Sequence, residues 1–375
     1  MRKKKWMIGL AISAILVTGC STSSAASMTS LTKFNDVKDT HWASASITKV
    51  ANEGIINGLP GNKFNPEANV SRAEFLKMVV LTAGLSIPEK TSQGAWYEAY
   101  VKVATEQGIY KNTDFSNWKE PSTRLEMARM AVRALDPSLK GAGDKQLMYE
   151  ATKRGFITGV ANGELGKSEK STRAQAAVVI DRMLQLKEGT KLPVDKRAAS
   201  YAEVEYRGSN LETMWGARMN TLPQSADFSP AVKGTFNQVL IIDMDDPSSP
   251  YKNLVPGLLD GNDNGKNSYV LAWNVTMENT AIVPKGYIYF HYVLSHPYVA
   301  PAIIPPDMEK LSPFDDGNKP LLLNKKNKIT IWHLETISKN KIAEFKEKNW
   351  PFWYFDWSSS QKRIELAPKG RIFGE

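Results

Sequence analysis

Apolar positions follow a helical period up to about residue 187 and a strand-like alternation after it. The helical part repeats. Residues 34–85, 96–135 and 147–186 each open with a helix-like stretch ending at a glycine: Gly54, Gly108 and Gly155. Glycine tolerates the left-handed turn that closes a helix. A loop follows, then a second amphipathic stretch. Its apolar positions read as core: Phe75, Met78 and Val79; Met127, Met130 and Ala131; Ala176, Val179 and Ile180. Each second helix is predicted to start at a hydroxyl, Ser71, Thr123 or Thr172. Glu74, Glu126 and Gln175 stand three residues on, the spacing at which a side chain returns to the cap backbone. Arg72, Arg124 and Arg173 directly follow the hydroxyls, 52 and 49 residues apart.

Residues 188–200 mix charge, glycine and proline and read as a linker. Within 201–375, β-branched and aromatic residues alternate over 235–244, 268–277, 287–295, 328–337 and 363–366. Segments rich in proline, aspartate, asparagine and glycine separate them, as turns require. Residues 339–348 predict a helix, and 198–206 fit either a helix or a strand. The expected fold is multidomain: an all-α module of helix–loop–helix units, then a mainly β, sandwich-like domain.

The N-terminus carries an address. A basic start precedes an apolar run from Trp6 to Val17, too short to cross a bilayer. Val17-Thr18-Gly19-Cys20 resembles the lipobox of bacterial lipoproteins. The resemblance implies a signal peptide over 1–19, cleavage before Cys20 and a diacylglycerol on its sulfur. An ordinary signal peptide with an incidental cysteine is the competing reading. Residues 20–33 are small and polar and suit a tether. The expected protein is exported and lipid-anchored to the outer face of a membrane.

The first helical unit holds Phe34, Asp36, Trp42-Ala43, Gly54-Ile55-Ile56-Asn57-Gly58, Phe64-Asn65-Pro66 and Ser71-Arg72-Ala73-Glu74. This set resembles the markers of the S-layer homology (SLH) family. The second unit keeps Trp96, Gly108 and Thr123-Arg124-Leu125-Glu126 but lacks the Phe-x-Asp start and the second glycine. The third keeps Gly155, Gly159 and Thr172-Arg173-Ala174-Gln175 but lacks the tryptophan and the Phe-x-Pro. The resemblance implies three repeats, 34–88, 94–137 and 144–187, around a pseudo-threefold axis with grooves between them. It further implies non-covalent binding of a secondary cell-wall polysaccharide that often bears a pyruvate ketal. The implied ligand-binding residues are Arg72, Arg124, Arg173, Ser71, Thr123, Thr172, Glu74, Glu126, Asp36 and Trp42. A ketal carboxylate is a fixed anion, and an arginine beside free N–H groups at a helix start suits it. Arg72 sits in the best-matching repeat and is expected to contribute most. The competing reading pairs these arginines with neighbouring acids.

Composition narrows the remaining chemistry. Lys and Arg number 48 against 39 Asp and Glu, a net +9, with four of the basic residues in the first five positions. The weakly basic remainder gives no argument for nucleic acid. One cysteine excludes internal disulfides and zinc sites built on cysteine pairs. Asp260, Asn262 and Asn264 match the opening of a calcium loop, but Lys266 and Leu271 occupy its later positions, and a hairpin turn explains the same residues. His291 and His333 lie on strand-like runs without a metal-binding spacing. The aromatic run 350–357 suits either sugar stacking or core packing. No cofactor is expected. Two functions compete: a non-enzymatic envelope protein whose C-terminal domain interacts or spaces, and a wall-anchored glycan or peptide hydrolase with catalysis in 201–375. The first is favoured, because the acids lack a recognisable pairing for glycan cleavage.

Overall fold

A computed structural model describes residues 33–88, 94–255, 266–288, 300–301, 320–349, 354–356 and 363–365. Cys20, the signal segment, all of the tether but Lys33, Asp260, Asn262, Asn264, His291 and most of the 350–357 run lie outside these residues.

The helical part forms three helix pairs: α1 (Ser44–Asn52) with α2 (Arg72–Ala83), α3 (Glu98–Glu106) with α4 (Arg124–Leu135), and α5 (Asp144–Lys153) with α6 (Arg173–Lys187). Gly54, Gly108 and Gly155 follow the first helix of each pair with φ of 68°, 66° and 77°. That is the left-handed region where a side chain costs energy. The first helix of each pair packs on the second helix of the pair before it: α3 on α2, α5 on α4, and α1 back on α6. One continuous apolar core results, running from Phe34 to Ala202.

The loops that precede α2, α4 and α6 meet at the centre of this core. Val70 N–H donates to the Ser171 carbonyl at 2.9 Å, Ser171 N–H to Ser122 at 2.9 Å, and Ser122 N–H to Val70 at 2.8 Å. The cycle is closed, and all three residues are fully buried. Each helix start is then stitched to the next loop in the same way. The N–H groups of Arg72 and Ala73 donate to Glu120 and Trp118, those of Arg124 and Leu125 to Glu169 and Lys167, and those of Arg173 and Ala174 to Ala68 and Pro66.

The segment 188–200 departs from the linker expected there. Its last residues enter a helix, α7 (Lys196–Arg207), capped by Asp195. Small residues explain the difference: Ala198, Ala199 and Ala202 are buried, so α7 lies close against α5. A short helix, α8 (Leu211–Trp215), follows.

The remaining described chain builds an antiparallel sheet from β1 (Gln224–Ser229), β2 (Val232–Asp243), β3 (Ser268–Asn279) and, further on, β7 (Lys328–Ser338). Strand β5 (Ala300–Pro301) adds to the β7 edge, giving the order β1-β2-β3-β7-β5. Two ribbons accompany it, β4 (Tyr287–Ile288) with β6 (Leu321–Leu322) and β8 (Tyr354–Asp356) with β9 (Arg363–Glu365). The last helix, α9 (Lys339–Lys348), has the bounds the sequence predicts. Successive residues of β2 serve opposite faces, as the pleat requires. Val239 and Ile241 pack with Leu271, Trp273, Trp215 of α8 and Phe345 of α9. Leu240 and Ile242 pack with Val270, Ala272 and, from α7, Val204. Among the described residues, α8, α9 and Leu321 of β6 pack on one face of the sheet and α7 on the other.

Glu203 ties α7 to α8. Its carboxylate is buried and accepts the N–H groups of Glu212 and Thr213 at 2.9 and 2.8 Å. Burial lifts its carboxyl to about 7, although these donors oppose the shift. The folded chain thus holds a proton that the unfolded chain releases near 4.5. Proton binding that favours the folded state makes stability fall as pH rises from about 4.5 to about 7, by on the order of 3 kcal/mol. Thermal melts across that range should show this decline, and Glu203→Gln should remove its share of the slope. An unchanged slope in the variant would contradict the assignment.

Candidate functional site

The three predicted caps form as the spacing requires. Ser71, Thr123 and Thr172 accept the N–H of the residue three positions on, and Glu74, Glu126 and Gln175 return to the cap N–H. The hydroxyls and acids of the box therefore first serve their own helices.

The arginines point outward from one helix pair into the next. Arg72 places Nε and Nη2 on both oxygens of Glu126, at 3.0 and 2.7 Å, and Nη1 on the Asn117 carbonyl at 3.0 Å. Its guanidinium lies over the Phe115 ring, 4.7 Å from the centroid. Arg173 donates from Nη1 to Glu74 at 2.7 Å, from Nε to the Phe64 carbonyl at 2.9 Å and from Nη2 to the Asn57 carbonyl at 3.3 Å. Arg124 donates from Nε to the Leu165 carbonyl at 2.9 Å and from Nη2 to the Thr158 carbonyl. So the first pair reaches the second, the second the third, and the third the first.

Two features of the sequence expectation change. The helix N–H groups beside each arginine are not free: carbonyls of the neighbouring loop take the first two and the cap hydroxyl takes the third. And Arg72, expected to lead in ligand binding, is held along its Nε–Nη2 edge by both oxygens of Glu126, so the pairing with neighbouring acids holds for Arg72 and Arg173. Arg124 differs. Among the described residues no carboxylate lies within ion-pair distance of it. Burial pulls its guanidinium below the usual arginine range, and the exposed Glu169 offsets part of this.

Asp36 is also committed within its own unit. It accepts the N–H groups of Phe64 and Asn65, both at 2.7 Å. Burial pushes its carboxyl up, but these donors hold it below the usual range. It clamps the loop that offers its carbonyl to Arg173. Trp42, by contrast, is 62 % exposed, and its ring stacks on His41. The sequence reading passed over Trp96 as a site residue. It stands two residues before α3 as Trp42 does before α1, and it is 48 % exposed. Its signal was present in that spacing.

A cleft of about 490 Å³ lies between the third helix pair and the sheet, with Asp195, Asp243 and Asp246 in its wall. Each carboxylate is occupied. Asp195 accepts the N–H of Gly159, Arg197 and Ala198; Asp243 pairs with Lys339 at 2.6 Å; Asp246 accepts from Ser248. Among the described residues no cluster of three or more metal-ligating side chains is present.

Comparison with known proteins assigns part of this arrangement. Residues 33–76 match the S-layer homology domain family. Over 179 residues, 40% of this chain, the sequence is 28% identical to an amylopullulanase of Thermoanaerobacterium thermosulfurigenes, covering 9% of that protein. It is 30% identical over 119 residues, 29% of this chain, to the S-layer protein sap of Bacillus anthracis, covering 14% of it. It is 26% identical over 130 residues, 32% of this chain, to a cellulosome-anchoring protein of Acetivibrio thermocellus, covering 29% of it. The matched stretch spans under a third of each of these three relatives.

The charge pairing makes opposite predictions for two isosteric changes. Glu126→Gln leaves the largely buried Arg72 without its counter-ion and should cost about 1.5–3 kcal/mol. Gln175→Glu supplies one to Arg124 and should raise stability. Chemical denaturation of both variants checks the pair: shifts of the same sign would contradict it. Residues 33–76, which hold α1 and the start of α2, thus match the S-layer homology domain family, and the other two helix pairs repeat the caps and outward arginines of this stretch.

Proposed function

We propose that the chain is an exported cell-envelope protein held to a secondary cell-wall polysaccharide by three S-layer homology repeats, 34–88, 94–137 and 144–187, arranged about a pseudo-threefold axis. The match of residues 33–76 to that domain carries the reading, and the printed names of relatives, an S-layer protein and a cellulosome-anchoring protein among them, support it. The polymer lies in the grooves between helix pairs and presents an acidic, pyruvylated sugar. The arginine boxes supply positive charge along these grooves, and the exposed faces of Trp42 and Trp96 supply flat apolar surface for sugar rings. Cys20 carries a lipid that fixes the N-terminus to the outer face of a membrane, with 20–33 as the tether. Residues 201–375 form an interaction or spacer domain. The engaged acids of the junction cleft favour this over the hydrolase alternative, which needs two carboxylates free to flank a bond.

Cell fractionation tests the anchor: Cys20→Ser should move the protein from the membrane fraction to the wall or medium, and continued membrane residence would contradict lipidation. Sedimentation with purified walls tests the attachment. The chain should pellet with intact walls and stay in solution with walls stripped of secondary polymer. Trp42→Ala with Trp96→Ala should weaken pelleting by about three- to tenfold while circular dichroism stays unchanged. Equal pelleting with stripped walls would contradict the proposal.

A further inference from the structure

Asparagine is followed by glycine at Asn57-Gly58, Asn162-Gly163 and Asn264-Gly265. In such a pair the glycine nitrogen can attack the asparagine side-chain amide, because glycine has no side chain to shield it. The last pair lies outside the described residues. The other two have opposite surroundings. At Asn162 the attacking atom is engaged: Gly163 N–H donates to the Val160 carbonyl at 2.9 Å. Gly163 is also buried, and a Cβ on it would lie 2.5 Å from Cγ of Arg197. At Asn57 the attacking atom is open. Asn57 and Gly58 are both exposed. Among the described residues, neither the Asn57 side chain nor the Gly58 N–H has a hydrogen-bond partner. Packing nevertheless holds position 58 to glycine, since a Cβ there would lie 2.5 Å from the Phe34 ring and 3.2 Å from the Lys63 carbonyl oxygen. A bulkier residue that would slow the attack does not fit. The Asn57 main-chain carbonyl meanwhile accepts Nη2 of Arg173 at 3.3 Å, and Nη1 of Arg173 holds Glu74 at 2.7 Å.

We propose that Asn57 is a self-modification site, where the chain converts asparagine to isoaspartate, and that the conversion loosens the junction between the third and first helix pairs. Gly58 N bonds to Cγ of Asn57, the Cγ–Nδ2 bond breaks, and Nδ2 leaves as ammonia with the proton from Gly58. Water then opens the cyclic imide. Where it adds at Cγ, an ordinary aspartate results. Where it adds at the former main-chain carbonyl, that carbon becomes a carboxylate and the chain reaches Gly58 through Cγ, one methylene longer. The oxygen that Arg173 Nη2 binds then belongs to the new carboxylate. Arg173, only 5 % exposed, faces two anions in place of one, and the longer chain carries Gly58 off the Phe34 ring. Glu74, the competitor for Arg173, also holds the cap of α2, so the strain reaches the start of that helix.

The test uses the full chain carrying Cys20→Ser, held folded in mildly alkaline buffer, sampled over weeks and mapped by peptide mass spectrometry. The peptide holding Asn57 should gain the mass of an amide-to-acid exchange about threefold faster or more than the peptide holding Asn162, the factor supplied by a hydrogen bond that must break first. In urea the gap should shrink, because both glycine nitrogens are then free. Methylation by an isoaspartate-specific methyltransferase should label the Asn57 peptide and leave the same peptide of Asn57→Gln unlabelled. That variant keeps the main-chain carbonyl that Arg173 uses, while its longer side chain closes the ring poorly. The aged chain should melt at a lower temperature than the fresh one, and Asn57→Gln should lose less on ageing. Equal conversion of Asn57 and Asn162 in the folded chain, or an Asn57 peptide that keeps its mass, would overturn the site. Conversion at Asn57 with the same fall in melting temperature in Asn57→Gln would overturn its link to the junction.

Discussion

Three backbone hydrogen bonds, Val70 to Ser171, Ser171 to Ser122 and Ser122 to Val70, set the geometry of the helical module. Each N–H and carbonyl in the cycle is buried at the centre of the core, where an unpaired backbone group costs as much as a lost hydrogen bond. No one unit can satisfy its own members. A unit on its own would expose a donor, an acceptor and the apolar face that the next unit covers, which is why such repeats stack or close. The closed cycle also fixes where α2, α4 and α6 begin, and so where their first side chains lead.

The placement of the arginines follows from that start. The first residue of each second helix faces the next unit, and in α2 and α4 the box acid two residues on faces back toward the previous one. One side chain thereby does two jobs. Glu74 holds the cap of α2 with one oxygen and Arg173 with the other. Glu126 holds the cap of α4 and Arg72. Gln175 performs the first job and lacks the charge for the second. The chain thus combines a symmetric backbone with an asymmetric charge distribution, and the asymmetry comes from one residue.

Local features were legible in the sequence and distant ones were not. The caps, the closing glycines and α9 depend on residues within a turn of one another, so spacing alone reveals them. The long strands β2, β3 and β7 showed in their alternation. The partners of the arginines lie 34 to 116 residues away along the chain, and nothing in the box itself selects between a ligand and an acid of the next unit. Residues 188–200 read as a linker because charge and proline mask the small face of α7, whose alanines matter only once α5 is beside them. The short α8 lacks a periodic pattern and is held from outside, by the buried Glu203. Trp96 was visible as a marker, but its exposure became clear only from its place at the start of α3.

Native-state hydrogen exchange on the Val70, Ser122 and Ser171 amides tests the closed cycle most directly. If the three units stand or fall together, these amides share one opening free energy, equal to that of global unfolding, and a change at any one junction shifts all three alike. Loss of protection at one of them while the other two keep theirs would contradict the account.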